Sequence, residues 1–460
     1  MPKKTVILDG TRPDDDQHSD SILTTLINVL HEHENSRTQV FRLRDIKIKP
    51  CIGCFNCWVR TPGRCIHTDD AGSDILQAIL NSDTLILFTP VVFGGYSSEL
   101  KKMVDRFLPL WLPFFQEAHG ETHHPFRYQT LSRFIGIGVH PDPSKKIHEC
   151  FKMVIGRNAE NLYSSSYTAN VVGAADSKEK LSSQFQALLT GKDDLPSPDD
   201  LISLMNNMTS EAPTVSVGNR KILLLVGSPK PKKNSTSAVL GYSLLKKFER
   251  LNWDTELLTL NSTLLDEQEG RNKLFSAIRG ADIISLSFPL YIDTLPFSVI
   301  RTLEIIARNK DKIIRPYCSK YFLALVNNGF LEVYQNAPAL AVCRNFAIEC
   351  DMIWAGGLAM GAGEAFVSGR SLTGFTGFNG FKRLPLYHVV RALNMTATAL
   401  AEGRPVPEKA RRLIAKKPVP FISFGLLRQL YIKLGKRAWE KEAALNGLTE
   451  KDMLDRPYAQ

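Results

Sequence analysis

A chain of 460 residues exceeds what one ordinary core holds and points to more than one folding unit. Its 43% apolar and 23% charged residues are those of a globular protein, and no run of eighteen apolar residues marks a bilayer span. The formal charge is +10, yet residues 401–460 hold 13 Lys/Arg against 7 Asp/Glu, so most of the excess is local. No long basic stripe interleaved with aromatics appears, and nucleic acid is not an expected partner. The N-terminus reads as a strand, without the apolar core of a signal peptide. Eight cysteines, four of them within fifteen residues, suit a reducing compartment, and cytoplasm is the expectation.

Lys4–Gly10 is a short apolar run ending in Gly, followed by helical spacing over Ile22–His31 and a strand at Thr38–Leu43. A cysteine loop, a helix near Ser73–Leu80 and a buried strand at Thr84–Pro90 come next. Glu99–Leu110 is helical, and strands at Phe134–Val139 and Tyr167–Gly173 close the set. Strands alternating with helices predict a parallel sheet covered on both faces. Residues 191–218, rich in Pro, Asp, Ser and Gly, read as a linker with one short helix at Leu201–Met208.

The same order then restarts: strands at Lys221–Val226, Thr255–Leu260, Asp282–Phe288, Tyr321–Val326 and Met352–Met360, with a helix at Ala238–Arg250. This is a duplication at the scale of a domain. The expected architecture is α/β: two tandem three-layer domains with five-stranded parallel sheets of flavodoxin-like order, over residues 1–190 and 219–400. A basic helical tail over 401–460 follows.

Gly227-Ser228-Pro229-Lys230-Pro231-Lys232-Lys233-Asn234-Ser235-Thr236 joins a strand to a helix. Backbone N–H groups, the positive helix end and the lysines attract a phosphate there, although Ser, Asn and Thr also cap helices. Two further strand ends, Pro289-Leu290-Tyr291-Ile292-Asp293-Thr294 and Asn327-Asn328-Gly329-Phe330-Leu331-Glu332, fall where a flavin ring would lie. With Trp354–Gly363 (WAGGLAMGAG), these loops resemble the NADPH-dependent FMN reductase family across residues 221–363. The resemblance implies FMN binding and electron uptake from NAD(P)H. It assigns Ser228, Lys230, Asn234, Ser235 and Thr236 to phosphate, and Pro289, Leu290, Tyr291, Asn328, Gly329 and Phe330 to the ring.

Residues 4–175 look like the iron–sulfur flavoprotein branch of the same superfamily. The key segment runs from Pro50-Cys51-Ile52-Gly53-Cys54-Phe55-Asn56-Cys57-Trp58 to Cys65, with Asp69-Asp70 after it. Cys51, Cys54, Cys57 and Cys65 suit a [4Fe–4S] cube or Zn²⁺, and cluster-free relatives carry similar loops, so cluster, zinc, redox disulfide and no metal all stay open. The loop containing Pro90, Val91, Phe93, Gly94 and Gly95 resembles the family's ring-binding loop. The first phosphate loop departs from the pattern: Thr11, Arg12 and Ser19 are its donors, and Asp14, Asp15 and Asp16 oppose a dianion.

His119, Glu121, His123 and His124 read as solvated loop residues in preference to a metal site. The stripe Phe421, Phe424, Leu427, Leu430, Tyr431 and Leu434 reads as a helix packed on its own domain or a second copy, in preference to a membrane surface. The expected function is an FMN-dependent NAD(P)H oxidoreductase, with flavin chemistry and no side-chain acid or base, passing electrons to a small quinone, azo, nitro or metal acceptor or to an internal centre. The alternative is an electron-transfer protein serving protein partners, with one half a candidate cofactor-free module; Asp14–Asp16 make that half the first. A homo-oligomer is expected.

Overall fold

Runs of β-branched and large apolar residues become strands, and the strands buried on both faces are apolar along most of their length: all seven residues of Thr84–Pro90 and of Tyr321–Asn327 are buried. The computed structural model describes residues 2–459 apart from 13–14, 16, 132, 210–213, 215–217, 231–234, 315–319, 374–375, 379–380, 384–385, 418 and 420–421. The described chain divides into two units. The first comprises Met1–Ser197 and Tyr431–Gln460, and the second Pro198–Leu430.

In the first unit the strands are β1 (Lys4–Asp9), β2 (Arg37–Arg42), β3 (Thr84–Pro90), β4 (Gln116–Ala118), β5 (Glu121–His123), β6 (Arg133–His140) and β7 (Tyr167–Gly173). Five form a parallel sheet in the order β2-β1-β3-β6-β7. The second unit has β8 (Lys221–Val226), β9 (Asp254–Thr259), β10 (Ile283–Pro289), β11 (Tyr321–Asn327) and β12 (Ile353–Met360), parallel in the order β9-β8-β10-β11-β12. Both sheets are doubly wound with the flavodoxin-like order, which puts a crevice beyond the carboxyl ends of the first and third strands. Each predicted strand is present, with ends within a residue of the prediction.

Helices cover both faces of each sheet. One core joins Ile7, Leu26, Ile86, Ile135 and Phe185, and the other Leu224, Leu244, Leu325, Leu358 and Leu393. Three findings differ from the sequence reading. The stretch read as a linker is packed: Asp193 accepts from Ala169 N–H at the edge of the first sheet, while Leu201, on the helix Pro198–Asn206, is fully buried in the second unit. The tail is divided: Val406 N–H donates to Ala355 of β12, whereas residues from Tyr431 onward belong to the first unit. The segment around His119 is not a solvated loop, because β4 and β5 form a two-residue hairpin with His119 and Gly120 at φ 51° and 79°.

Candidate functional site

The two units repeat one cradle at the carboxyl ends of their first and third strands. Gly10 N–H donates to Phe88 O in the first unit, and Gly227 N–H to Ser287 O in the second, both at 2.8 Å. A Cβ on either glycine would collide with the next helix, at Leu100 or Val299. The third strands continue alike: Val91 N–H donates to Val139 O (2.8 Å) and Leu290 N–H to Asn327 O (2.7 Å). A tight turn follows in each, closed by the bridges Val92 with Gly95 and Tyr291 with Thr294. Its central residues have positive φ, Phe93 and Gly94 at 55° and 84°, Ile292 and Asp293 at 43° and 63°.

The second cradle retains donors. Ser235 caps the helix Thr236–Glu249 by accepting from Ala238 N–H (3.1 Å), and Ser228 Oγ accepts from Lys230 N–H (3.3 Å); each hydroxyl still carries its own proton. Lys230 Nζ pairs with Glu364 (2.8 Å), whose side chain is half exposed. Thr236 differs from its expected role, since its hydroxyl donates to Gly363 O and accepts from Ser368 N–H. Asn234 lies outside the described residues. Pro289, Leu290, Gly329 and Phe330 are half-buried and Tyr291 is buried, while Asn328 turns inward to donate to Glu332 O (2.9 Å). Glu332, itself buried, pairs with Arg428 (3.0 Å) and fixes that loop. The set suits a phosphate with an aromatic body beyond it.

The first cradle spends its donors internally. Thr11 gives both its N–H (2.9 Å) and its hydroxyl proton (2.7 Å) to Asp9 Oδ1. Arg12 gives its N–H (2.6 Å) and its guanidinium (Nε 3.0 Å, Nη2 2.6 Å) to Asp15. Ser19 is buried in the first turn of the helix Gln17–Glu34. Asp9 is fully buried, and burial raises its carboxyl above the usual range despite the Thr11 hydrogen bonds and Arg44 at 3.9 Å. Pro90, Val91, Phe93, Gly94 and Gly95 are all buried. A phosphate does not fit this arrangement.

The cysteine loop is held from behind. Arg106 forks onto Asp70 (2.6 and 3.1 Å) and donates to Lys49 O and His67 O; a Cβ at Gly72 would strike the guanidinium. Burial raises the Asp70 carboxyl, but the hydrogen bonds from Arg106, Lys49 N–H and Gly72 N–H outweigh it and hold it low. Lys49 and Lys47 hold the exposed Asp69 down to about 2. Cys51, Cys54, Cys57 and Cys65 line one concavity of about 320 Å³ including space open to solvent, with Phe55, His67 and Arg106. Burial first, then the other three thiols, push the Cys57 thiol well up. Tetrahedral zinc brings thiolates within about 4 Å of one another. Among the described residues the four sulfurs form no three-ligand group within 4.8 Å.

The returning C-terminus walls this loop. Trp439 meets Trp58 edge-on (5.1 Å) and Phe55 (5.6 Å), while Ala443 and Met453 are fully buried against Cys57 and Trp58. Buried Arg127 donates to Met453 O and Asp455 O, both at 2.7 Å. The sequence reading missed this wall, and the aromatic residues Trp58 and Trp439 were its only local sign.

His119 is exposed, but Glu121 and His123 are fully buried, which corrects the solvated reading. Donor atoms of Glu121, His123 and Glu160 lie within 4.8 Å of one another. Arg157 already supplies the cation there, 2.7 Å from Glu121 and 2.5 Å from Glu160, and His123 bonds Glu121 (3.1 Å) and Asn161 (2.9 Å). His124 packs against Trp58 and Phe115.

Residues 4–126 match the sequence profile of the family described as NADPH-dependent FMN reductase. An iron–sulfur flavoprotein of Methanocaldococcus jannaschii is 39% identical over 88 residues, 19% of this chain and 44% of that protein. An iron–sulfur flavoprotein of Archaeoglobus fulgidus is 33% identical over 82 residues, 17% of this chain and 36% of that protein. The chain thus spans less than half the length of these curated relatives. Among solved structures, an NAD(P)H:quinone oxidoreductase from Methanothermobacter marburgensis is 13% identical, covering 41% of this chain and 99% of that one, with a TM-score of 0.34. The profile falls on the first unit, whereas the FMN reductase resemblance was read in residues 221–363. No helix among the described residues is long and apolar enough to cross a membrane.

Proposed function

We propose that the protein is an FMN-dependent NAD(P)H oxidoreductase that delivers electrons to a small acceptor or to a redox centre in its own cysteine loop. The observation that carries this reading is the repeated cradle: a glycine pinned beneath a helix beside a tight turn, found in both units. The likeness of residues 4–126 to an FMN reductase family attaches flavin chemistry to this fold, and the second unit repeats the cradle with its phosphate donors in place. FMN bound there would accept hydride from reduced nicotinamide and release electrons singly or in pairs.

The chain's own residues bind and orient. Ser235 caps the positive end of the helix Thr236–Glu249, and with Ser228 and Lys230 of the preceding loop it would hold phosphate. Pro289, Leu290, Tyr291, Gly329 and Phe330 would bound the ring. Cys51, Cys54, Cys57 and Cys65 would hold a [4Fe–4S] cluster. The iron–sulfur flavoprotein likeness covers part of this unit, and the concavity takes all four thiols. Cytoplasm is the matching compartment, since free thiols need a reducing one.

Anaerobic titration with NADH and NADPH, followed in the visible spectrum, tests the proposal. Bleaching of a flavin band, with iron and labile sulfide near four per chain, is expected. A chain that stays colourless after incubation with FMN sinks it.

A further inference from the structure

The described parts of the two cradles make matching backbone hydrogen bonds, while their sequences carry opposite charge. Residues 9–20 carry Asp9, Asp14, Asp15, Asp16 and Asp20 against Arg12, whereas residues 226–237 carry Lys230, Lys232 and Lys233 and no acid. Thr11 and Ser228 occupy the same place after the pinned glycine, and Asp9 stands where the second unit has buried Val226. That one exchange redirects the loop. The buried Asp9 carboxylate draws in the N–H and hydroxyl of Thr11, the two groups best placed to meet a phosphate.

The remaining cations of the first cradle are committed to carboxylates of the same loop and its helix, whereas Lys230 of the second pairs with the half-exposed Glu364 from a later segment. Asp15 accepts from the Arg12 N–H and guanidinium together, the same fork a phosphate would receive. Arg44 bonds the Thr11 hydroxyl and pairs with Asp20 at 3.2 Å. An entering dianion would have to break these charge-assisted bonds and then lie beside two carboxylates. On the ring side Val91, Val92 and Phe93 are at most 8% exposed; Leu290 and Ile292 are half-buried, and Tyr291, the counterpart of Val92, is buried at 9%.

We infer that the chain carries one FMN, held by the second unit, and that Asp9 and Asp15 fill the phosphate cradle of the first with carboxylate oxygens in place of phosphate oxygens. This rests on the flavin reading above and deepens it. The first unit is a cysteine-loop module whose flavin cradle is closed from within.

Flavin counting decides it. Full-length protein is saturated with FMN, desalted and denatured, and released flavin is measured against protein; calorimetric titration of the stripped chain counts sites. About one FMN per chain is expected. Ser228→Asp, which builds a carboxylate into the second cradle, should leave below about a tenth of that flavin, with iron content and circular dichroism unchanged. Should that variant fail to fold, Lys230→Glu changes a side chain that is 20% exposed and should weaken FMN at least roughly tenfold. Two FMN per chain, or full flavin retention in Ser228→Asp or Lys230→Glu, overturns the inference. No FMN uptake by the unaltered chain overturns the flavin reading beneath it as well.

Discussion

Set side by side, the two units show how little of a ligand's identity resides in a backbone. Gly10 and Gly227, and the turns at Phe93-Gly94 and Ile292-Asp293, reproduce one another's hydrogen bonds. The side chains around them do not. The first unit places Asp9 and Asp15 against its donors and invests its buried charge in ion pairs behind a cysteine loop; the second keeps serines and a lysine at the mouth of its crevice. The fold supplies a place for chemistry, and side chains decide whether anything enters.

The comparison predicts that the units respond separately to substitution. Arg106→Ala strands Asp70 as a buried unpaired carboxylate and should cost about 3–5 kcal/mol. In chemical denaturation only the first unit's transition should move; a matching shift in both would mean that the units do not unfold independently.

Next comes His123→Ala, which leaves Glu121 short of a partner and should destabilise the first unit by about 2 kcal/mol. Burial lowers the His123 imidazole, but Glu121 and Glu160 outweigh it and raise it above its ordinary 6.5, despite Arg157. Its contribution is therefore complete below about pH 6.5 and fades as pH rises through the raised value. Glu121, raised by burial but held below 4.5 by His123 and Arg157, contributes above that value and is lost on acidification. Thermal melts across pH should show the first unit most stable between these limits. In His123→Ala the alkaline decline should vanish, and its persistence would remove His123 from the account.

The smallest effect separates the turns. Ile292 is β-branched at φ 43°, so Ile292→Gly should stabilise the second unit by about 1 kcal/mol, whereas Gly94→Ala, at φ 84°, should destabilise the first by about as much. Equal signs in the two melts would contradict the turn assignment.

The strands and the repeat were legible because buried parallel strands are continuous apolar runs that end in Gly, Pro or Asn. The second phosphate loop was legible for the same local reason. The sequence reading treated the acidic first loop as repulsion alone. It missed that Asp15 turns back onto Arg12 three residues away and that Asp9, nominally a strand residue, holds Thr11. His119-Gly120 carried a hairpin signal that would have placed Glu121 and His123 on a strand, but Arg157 and Glu160 come from a helix more than thirty residues on. The wall of Trp439, Ala443 and Met453 depends on contacts across more than three hundred residues, beyond the reach of any periodicity.

That wall has a temporal consequence. A ribosome emits the first 197 residues, then all of the second unit, and only afterwards Tyr431–Gln460. The carbonyls of Met453 and Asp455 that receive Arg127 do not exist until the whole second unit has been made. The second unit can therefore mature during translation, while the thiol-bearing hollow waits open for its last panel. Closure of that hollow therefore follows the making of the second unit.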